Sequence, residues 1–253
     1  MRDVDRAEIS AVAHRWHPVA APVSEENLVR LIGRLELPEG ARVLDLGCGL
    51  GEWLLAALEA FPGAEGVGVD SSAPALEQAR KSAERRTLTD RVTLEEADAA
   101  EWAGGEFDAV LCVGASHALG GLAKAVPAAR SHLKPGGRLL LGEGVWEVPP
   151  TSEALTAIDA EPGDLPELTT LVTDLRRFGF EPGFGHVSTA DEWDAYEWSW
   201  TGALATWALE DPEARAEALE TARTHRQEWL AGYRGQLGFV TLVLHDLGEG
   251  AAG

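Results

Sequence analysis

The apolar positions of this chain change their period at residue 41. Before it they fall at helical spacing: Leu28, Leu31, Ile32 and Leu35 stand at i, i+3, i+4 and i+7, one face of a helix over 24–36. Ser24 supplies an N-cap hydroxyl, and Pro38-Glu39-Gly40 closes the segment. A weaker helix is expected over 3–13, leading into the polar and aromatic cluster His14-Arg15-Trp16-His17-Pro18. After residue 41 short apolar runs alternate with helical stretches. Strands are predicted at 41–46, 66–70, from 92 to just before Asp98, 107–113 and 138–143, with helices at 52–60, 73–86 and near 120–132 and a turn at Lys134–Gly137. Strands alternating with helices argue for a parallel sheet covered on both faces.

Beyond residue 146 the rhythm changes. Pro149-Pro150 and Glu161-Pro162-Gly163 flank a helix near 152–159, and Leu168, Leu171, Val172 and Leu175 mark one face of a helix over 166–178. A sixth strand is expected at 180–187, a Trp-rich helical stretch over 190–233 and a last strand at 238–244. One domain is expected, made of N-terminal helices (1–40), a core (41–145) and a cap with the final strands (146–253). No internal repeat or low-complexity linker interrupts it.

Charge narrows the class of partner. The 253 residues carry 42 Asp+Glu against 21 Lys+Arg, a formal net charge of −21. Nucleic acid and anionic membrane surfaces attract basic footprints, so neither is an expected partner. Cys48 and Cys112 are too few for a disulfide framework or a zinc site, and both stand in apolar contexts that suggest buried thiols. The seven His are scattered, so no metal is expected. No apolar run follows Met1–Asp5 and none approaches the ~18 residues of a membrane span, which predicts a cytoplasmic protein without a signal peptide.

The chemistry concentrates in Val43-Leu44-Asp45-Leu46-Gly47-Cys48-Gly49-Leu50-Gly51. Glycines at a strand-to-helix turn let a ligand approach the backbone, and the helix start offers N–H groups to it. A nicotinamide fingerprint would read G-x-G-x-x-G. Here the glycines run G-x-G-x-G, with an acid two residues ahead of the first. This arrangement resembles motif I of the class I S-adenosylmethionine (SAM)-dependent methyltransferases. The resemblance continues through Asp70 at the end of the second strand, Asp98-Ala99 after the third, Phe107-Asp108-Ala109-Val110, and Leu133-Lys134-Pro135-Gly136-Gly137-Arg138-Leu139. It covers roughly 41–145.

The resemblance implies a three-layer Rossmann-like α/β sheet, mostly parallel with an antiparallel last strand, plus a helical cap. It also implies SAM as cofactor and S-adenosylhomocysteine as product. Asp45 would face the ammonium, Asp70 the ribose hydroxyls and Asp98-Ala99 the adenine edge, and Gly47, Cys48, Gly49, Gly51, Ser71 and Val113 would complete the cofactor-binding set. The catechol-type branch of the superfamily holds a metal near the fourth strand, but Asp108 lies within that strand here.

The acceptor crevice of such a sheet opens at the carboxyl ends of its strands. His117 is the candidate general base, since imidazole titrates near neutral pH, and Glu143 is a candidate to orient the acceptor. The plainer readings are a packing or capping histidine and a structural carboxylate. No Pro-Pro-Tyr-type tetrapeptide of nucleic-acid amino methyltransferases follows the fourth strand. His14, Arg15, Trp146, Tyr196 and Trp200 are candidate acceptor contacts, and the run from Trp193 to Trp207 offers walls for an apolar or aromatic acceptor. The alternative for these rings is to anchor a cap. Residues 181–253 hold 13 acids against 4 basic residues, which favours a neutral or cationic acceptor. The expected activity is methyl transfer from SAM to an O or N atom of a small molecule, by a monomer or homodimer, resembling bacterial small-molecule methyltransferases. The alternatives are other chemistry on the same fold, or a non-catalytic SAM-binding protein.

Overall fold

A computed structural model describes residues 6–248. The chain forms two compact units. Of the described residues, a sheet unit comprises Ser24–Glu143, Thr169–Val187 and those from Val240 on, and a helical unit comprises those up to Val23, Gly144–Leu168 and Ser188–Phe239.

Seven strands form one sheet: β1 (Arg42–Leu46), β2 (Glu65–Asp70), β3 (Val92–Glu96), β4 (Phe107–Val113), β5 (Leu133–Trp146), β6 (Phe180–Val187) and β7 (Leu237–Asp246). Their order is β3-β2-β1-β4-β5-β7-β6. β1 pairs in parallel with β2 and with β4, β2 with β3, and β4 with β5, while β6 and β7 are antiparallel. The expected Rossmann-like sheet with an antiparallel last strand is therefore the fold. The chain reverses its direction of winding between β1 and β4, and open α/β sheets bind ligands at that switch point.

The sheet unit's helices are α2 (Glu25–Gly33), α3 (Glu52–Ala60), α4 (Ala73–Arg85), α5 (Leu122–Ser131) and, after the shorter α6 (Ser152–Ala157) of the helical unit, α7 (Leu168–Arg177), whose first residue the helical unit contributes; α1 (Arg6–Ala13) precedes them. The expected start of α1 at Asp3 lies outside the described residues. Ser24 caps α2 by accepting the Asn27 N–H at 3.4 Å, and Leu28, Leu31 and Ile32 are buried as their spacing predicts. In α3, Leu54, Leu55 and Leu58 are buried. β2 lies close beneath this layer because it carries glycine at two positions. A Cβ on Gly68 would stand 2.8 Å from Leu94 Cδ2, 2.9 Å from Cys48 Sγ and 3.2 Å from Leu54 Cδ2.

Three expected boundaries shift. The turn at Lys134–Gly137 becomes an irregularity inside β5: Leu133 pairs with Phe107, and pairing resumes at Arg138 with Ala109. Lys134 holds the strand there through a 2.8 Å bond to Asp108. The helix expected near 120–132 is preceded by a separate 3₁₀ turn, Ser116–Leu119, since Gly120 and Gly121 break the backbone with φ of 84° and 92°. The helical stretch over 190–233 divides into α8 (Ala190–Glu210), α9 (Arg215–Gln227) and a π-helical turn at Glu228–Tyr233. Asp211 precedes a proline, a position disfavoured in helices, and its Oδ1 accepts the Glu213 and Ala214 N–H groups.

Within the helical unit, a capping box of Thr189 and Glu192 starts α8. Ala13, Leu204, Trp207, Ala208, Ala214, Ala218 and Ala222 form one buried cluster, and Trp146, Ala154, Trp229 and Tyr233 another. No helix among the described residues is long and apolar enough to cross a membrane.

Gly68→Val places a branched side chain against Leu94, Cys48 and Leu54 at once. It is expected to lower stability by about 1–3 kcal/mol, read as a lower urea midpoint. A variant of wild-type stability would show that α3 and its loop move away freely.

Candidate functional site

The turn from β1 to α3 is fixed from one side by the end of β2. The Val69 carbonyl accepts the N–H groups of Gly47 (2.9 Å) and Cys48 (3.0 Å), and Asp70 Oδ2 accepts that of Gly49 (2.8 Å). Asp70 Oδ1 accepts the Ser72 N–H at 2.8 Å, so one carboxylate joins the glycine turn to the turn before α4. Gly47 has φ +73°, and a Cβ there would lie 2.5 Å from the Ala115 Cβ. Only glycine satisfies both the left-handed backbone and that close approach.

Asp45 is buried beneath this turn. The Leu54 backbone N–H bonds its carboxyl, while Oδ2 has no hydrogen-bond partner. Burial pushes its pKa up to about 8, the Asp70 carboxylate adds to the rise, and the Leu54 N–H opposes it. Burial also raises the Cys48 thiol, with Asp45 and Asp70 adding to the effect. The Cys112 thiol is pushed up to about 12, by burial first and then by Asp45 and Glu143. Asp45, Asp70 and Glu143 thus gather around the two buried cysteines that the sequence suggests. Crowded carboxyls and a buried oxygen without a partner suit a cationic ligand, which would supply the missing donor and relieve the repulsion.

The remaining residues of the predicted cofactor set lie at the same strand ends. The Ala97 N–H donates to the Asp70 carbonyl at 3.1 Å, which brings the turn after β3 beside β2. In that turn Asp98 is exposed and accepts the Ala100 N–H at 2.8 Å, and Ala99 is buried. Ser71 is exposed, Val113 is half-buried at the end of β4, and Gly51 caps the start of α3. The set fits SAM: acids for an ammonium and a diol, and an open glycine turn between them.

His117 lies exposed on the 3₁₀ turn after β4, and Glu143 is buried near the end of the sheet unit's share of β5. The other candidates belong to the helical unit. His14 Nδ1 bonds the Ser10 carbonyl (2.8 Å) and Nε2 the Tyr196 hydroxyl (3.1 Å); burial lowers the His14 pKa and raises that of Tyr196. The His17 ring meets the Tyr196 ring edge-on at 5.4 Å. Arg15 is paired with Glu210 at 2.9 Å, Trp146 is buried in an apolar cluster, and Trp200 stacks on His225 at 4.0 Å. Of the five acceptor candidates, His14 and Tyr196 are brought together; the other three have packing or ion-pair partners of their own.

One polar cluster escaped sequence reasoning. Glu197, 1% exposed, accepts from the Tyr233 hydroxyl (2.6 Å) and pairs with His225 Nε2 (2.8 Å). In sequence it is one acid among Asp191, Glu192 and Asp194, and only burial singles it out. Its partners stand 28 and 36 residues away, so no local spacing signals them. Among the described residues no group of three or more His, Cys, Asp and Glu is arranged to hold a metal ion.

Comparison with known proteins identifies the cofactor. A family model described as a methyltransferase domain matches residues 44–139. A SAM-dependent methyltransferase from Geobacter sulfurreducens, crystallised with S-adenosyl-L-homocysteine, is 29% identical with a TM-score of 0.87, over 96% of this chain and 99% of that one. One from Thiobacillus denitrificans, also with S-adenosyl-L-homocysteine, is 31% identical with a TM-score of 0.85 over the same shares. A ubiquinone biosynthesis O-methyltransferase of Xanthomonas axonopodis pv. citri is 38% identical over 162 residues, 61% of this chain and 65% of that protein. With the glycine turn, its acids and the strand order on the same side, the chain belongs to the class I SAM-dependent methyltransferases.

Proposed function

We propose that the methyl group goes to an O or N atom of a small, uncharged or cationic molecule. The observation that carries this reading is the formal net charge of −21 on a chain whose Asp70 and Glu143 carboxyls stand about the same buried Asp45 and cysteines, a field that repels polyanions and anionic acceptors alike. The small-molecule O-methyltransferase relative supports it. SAM, when bound, supplies a methyl group activated by its sulfonium. The chain's own residues bind, orient and move protons. Asp45 takes the cofactor's ammonium, Asp70 the ribose hydroxyls and Asp98 the adenine amino group. His117, at the carboxyl end of β4, takes the proton of a hydroxyl acceptor, and Glu143 orients the acceptor. Positioning alone is worth up to roughly 7–11 kcal/mol of barrier, so the base matters most for acceptors that must lose a proton.

Transfer of label from isotopically labelled SAM to a small acceptor tests the reading directly; cofactor binding with no transfer to any O or N nucleophile would overturn it. Asp70→Ala removes the partner of the Gly49 and Ser72 N–H groups and is expected to weaken SAM binding at least ~30-fold by calorimetry, roughly 2 kcal/mol. Unchanged affinity would count against the ribose role.

Asp45 gives a pH test. Its folded pKa, near 8, lies above its ordinary value of 3.8, so its contribution to stability is whole below about pH 4 and is lost as pH rises through 8. Asp45→Asn removes that loss. The cofactor-free variant should melt at least ~2 °C above wild type at pH 8, with a smaller gap at pH 5, and bind SAM at least ~10-fold more weakly. Equal melting curves at both pH values would place the proton elsewhere.

His117→Ala should lower turnover on a hydroxyl acceptor at least ~10-fold, within the range of general-base contributions. Near-normal turnover on such an acceptor would sink the proton-transfer role.

A further inference from the structure

α4 with its two caps, Ser72 and Arg86, lies along the glycine turn and the start of α3, all within the sheet unit. At one end the Ser72 N–H donates to Asp70, whose other oxygen accepts from Gly49. In the middle α4 packs closely on Gly51, where a Cβ would stand 3.1 Å from the Ala79 Cβ. At the far end Ser82 Oγ donates to Glu52 Oε1 at 3.2 Å, and the Arg86 guanidinium pairs with Glu52 Oε2. Arg86 also reaches Glu59 at 3.5 Å. Ala79, Ser82 and Arg86 stand at i, i+3 and i+7, so one face of α4 makes these contacts.

Glu52 is the first residue of α3, and its side chain is 11% exposed. The first N–H groups of a helix have no acceptors within it and attract anions. Gly51, the N-cap, has no side chain to occupy them. An acid in the first turn works against an anionic ligand there, because its charge offsets the field of the helix start. In this chain the Glu52 carboxylate is turned onto α4, and the charge of Arg86 meets it. We propose that Arg86 is a positioning residue for the cofactor: by pairing with Glu52 it keeps the start of α3 receptive to the carboxylate of SAM. The proposal rests on the reading that the amino-acid end of the cofactor lies at the glycine turn. Charge separates this role from a mechanical tie between two helices. Without Arg86, Glu52 keeps the Ser82 hydroxyl but no counter-charge, and a poorly solvated, unpaired carboxylate repels a second one. Removing Glu52 as well takes that repulsion away.

Calorimetry on the full-length protein uses two probes, S-adenosylhomocysteine and its decarboxylated analogue, which keeps the amino group. The wild type should prefer S-adenosylhomocysteine. Arg86→Gln should weaken S-adenosylhomocysteine at least ~3-fold, in line with the worth of one charge at a helix start, and leave the analogue unchanged. Glu52→Gln, in which Arg86 keeps Glu59, should bind both probes as the wild type does. The double variant Glu52→Gln/Arg86→Gln should regain wild-type affinity for S-adenosylhomocysteine. Arg86→Lys keeps the charge and loses the planar fork, so it should keep the wild-type preference. Equal losses for both probes in Arg86→Gln, or a double variant as weak as Arg86→Gln, would overturn the proposal and make the pair a tie between helices. Unchanged S-adenosylhomocysteine affinity in Arg86→Gln would overturn it, and so would loss of the preference in Arg86→Lys, a result that stands even if Arg86→Gln fails to fold. Equal affinities of the wild type for the two probes would refute the placement of the cofactor's amino-acid end, and the role of Arg86 with it.

Discussion

Three successive N–H groups of the turn after β1 are held by two successive residues of β2. Gly47 and Cys48 donate to the Val69 carbonyl, and Gly49 donates to the Asp70 carboxylate. The rest of the site depends on this fixture. It turns the chain sharply enough to start α3 at Glu52 and buries Asp45 beneath that helix's first turn. It also engages Asp70 from the side, leaving further lone pairs on the carboxylate for hydroxyl donors. The parallel pairing of Leu46 with Val69 places the two strand ends level, and without that register the carbonyl and carboxylate would face other groups.

The same fixture sets the electrostatics. A buried carboxyl with one bonded oxygen and one orphaned oxygen is an unfavourable element in an empty protein, and its raised pKa records the cost. Stability of the cofactor-free fold and affinity for a cationic cofactor therefore oppose each other at Asp45. Such local conflict is expected where a structure serves binding rather than folding. Glu197 resolves the same problem differently. It is as deeply buried, but two donors satisfy it within the chain, so it acts as a structural junction between α8, α9 and the π-helical turn.

The two units ask different things of their side chains. In the sheet unit, backbone groups and carboxylates at strand ends do the work, and the helices supply an apolar cover. In the helical unit, aromatic rings carry the packing: Trp146 and Trp229 fill a core, Trp193 packs against it, and Trp193 and Trp229 both border a cavity. An amphipathic ring can serve either way, and its N–H decides which environment completes it.

What the sequence determined by itself is the sheet unit. Strand-length apolar runs, the glycine turn and the acids at strand ends are local signals, and most of the predicted strands and helices of residues 41–143 fall within a residue or two of their expected limits. The strand expected at 138–143 is the exception, since β5 runs Leu133–Trp146, and the 3₁₀ turn that carries His117, set off from α5 by consecutive glycines, had no expected counterpart. In β5, pairing with β4 absorbs a Lys-Pro-Gly-Gly sequence that reads as a turn when its partner strand is unknown. Only the tertiary structure decided the helical unit. Which of its acids is buried, which tryptophan fills a core, and that Arg15 is paired with Glu210 all depend on side chains brought together from distant positions. A strand-end motif is written in consecutive residues because the backbone forms the site. A helical surface is assembled from residues three, four and nearly two hundred positions apart, and its chemistry exists only once the helices have packed.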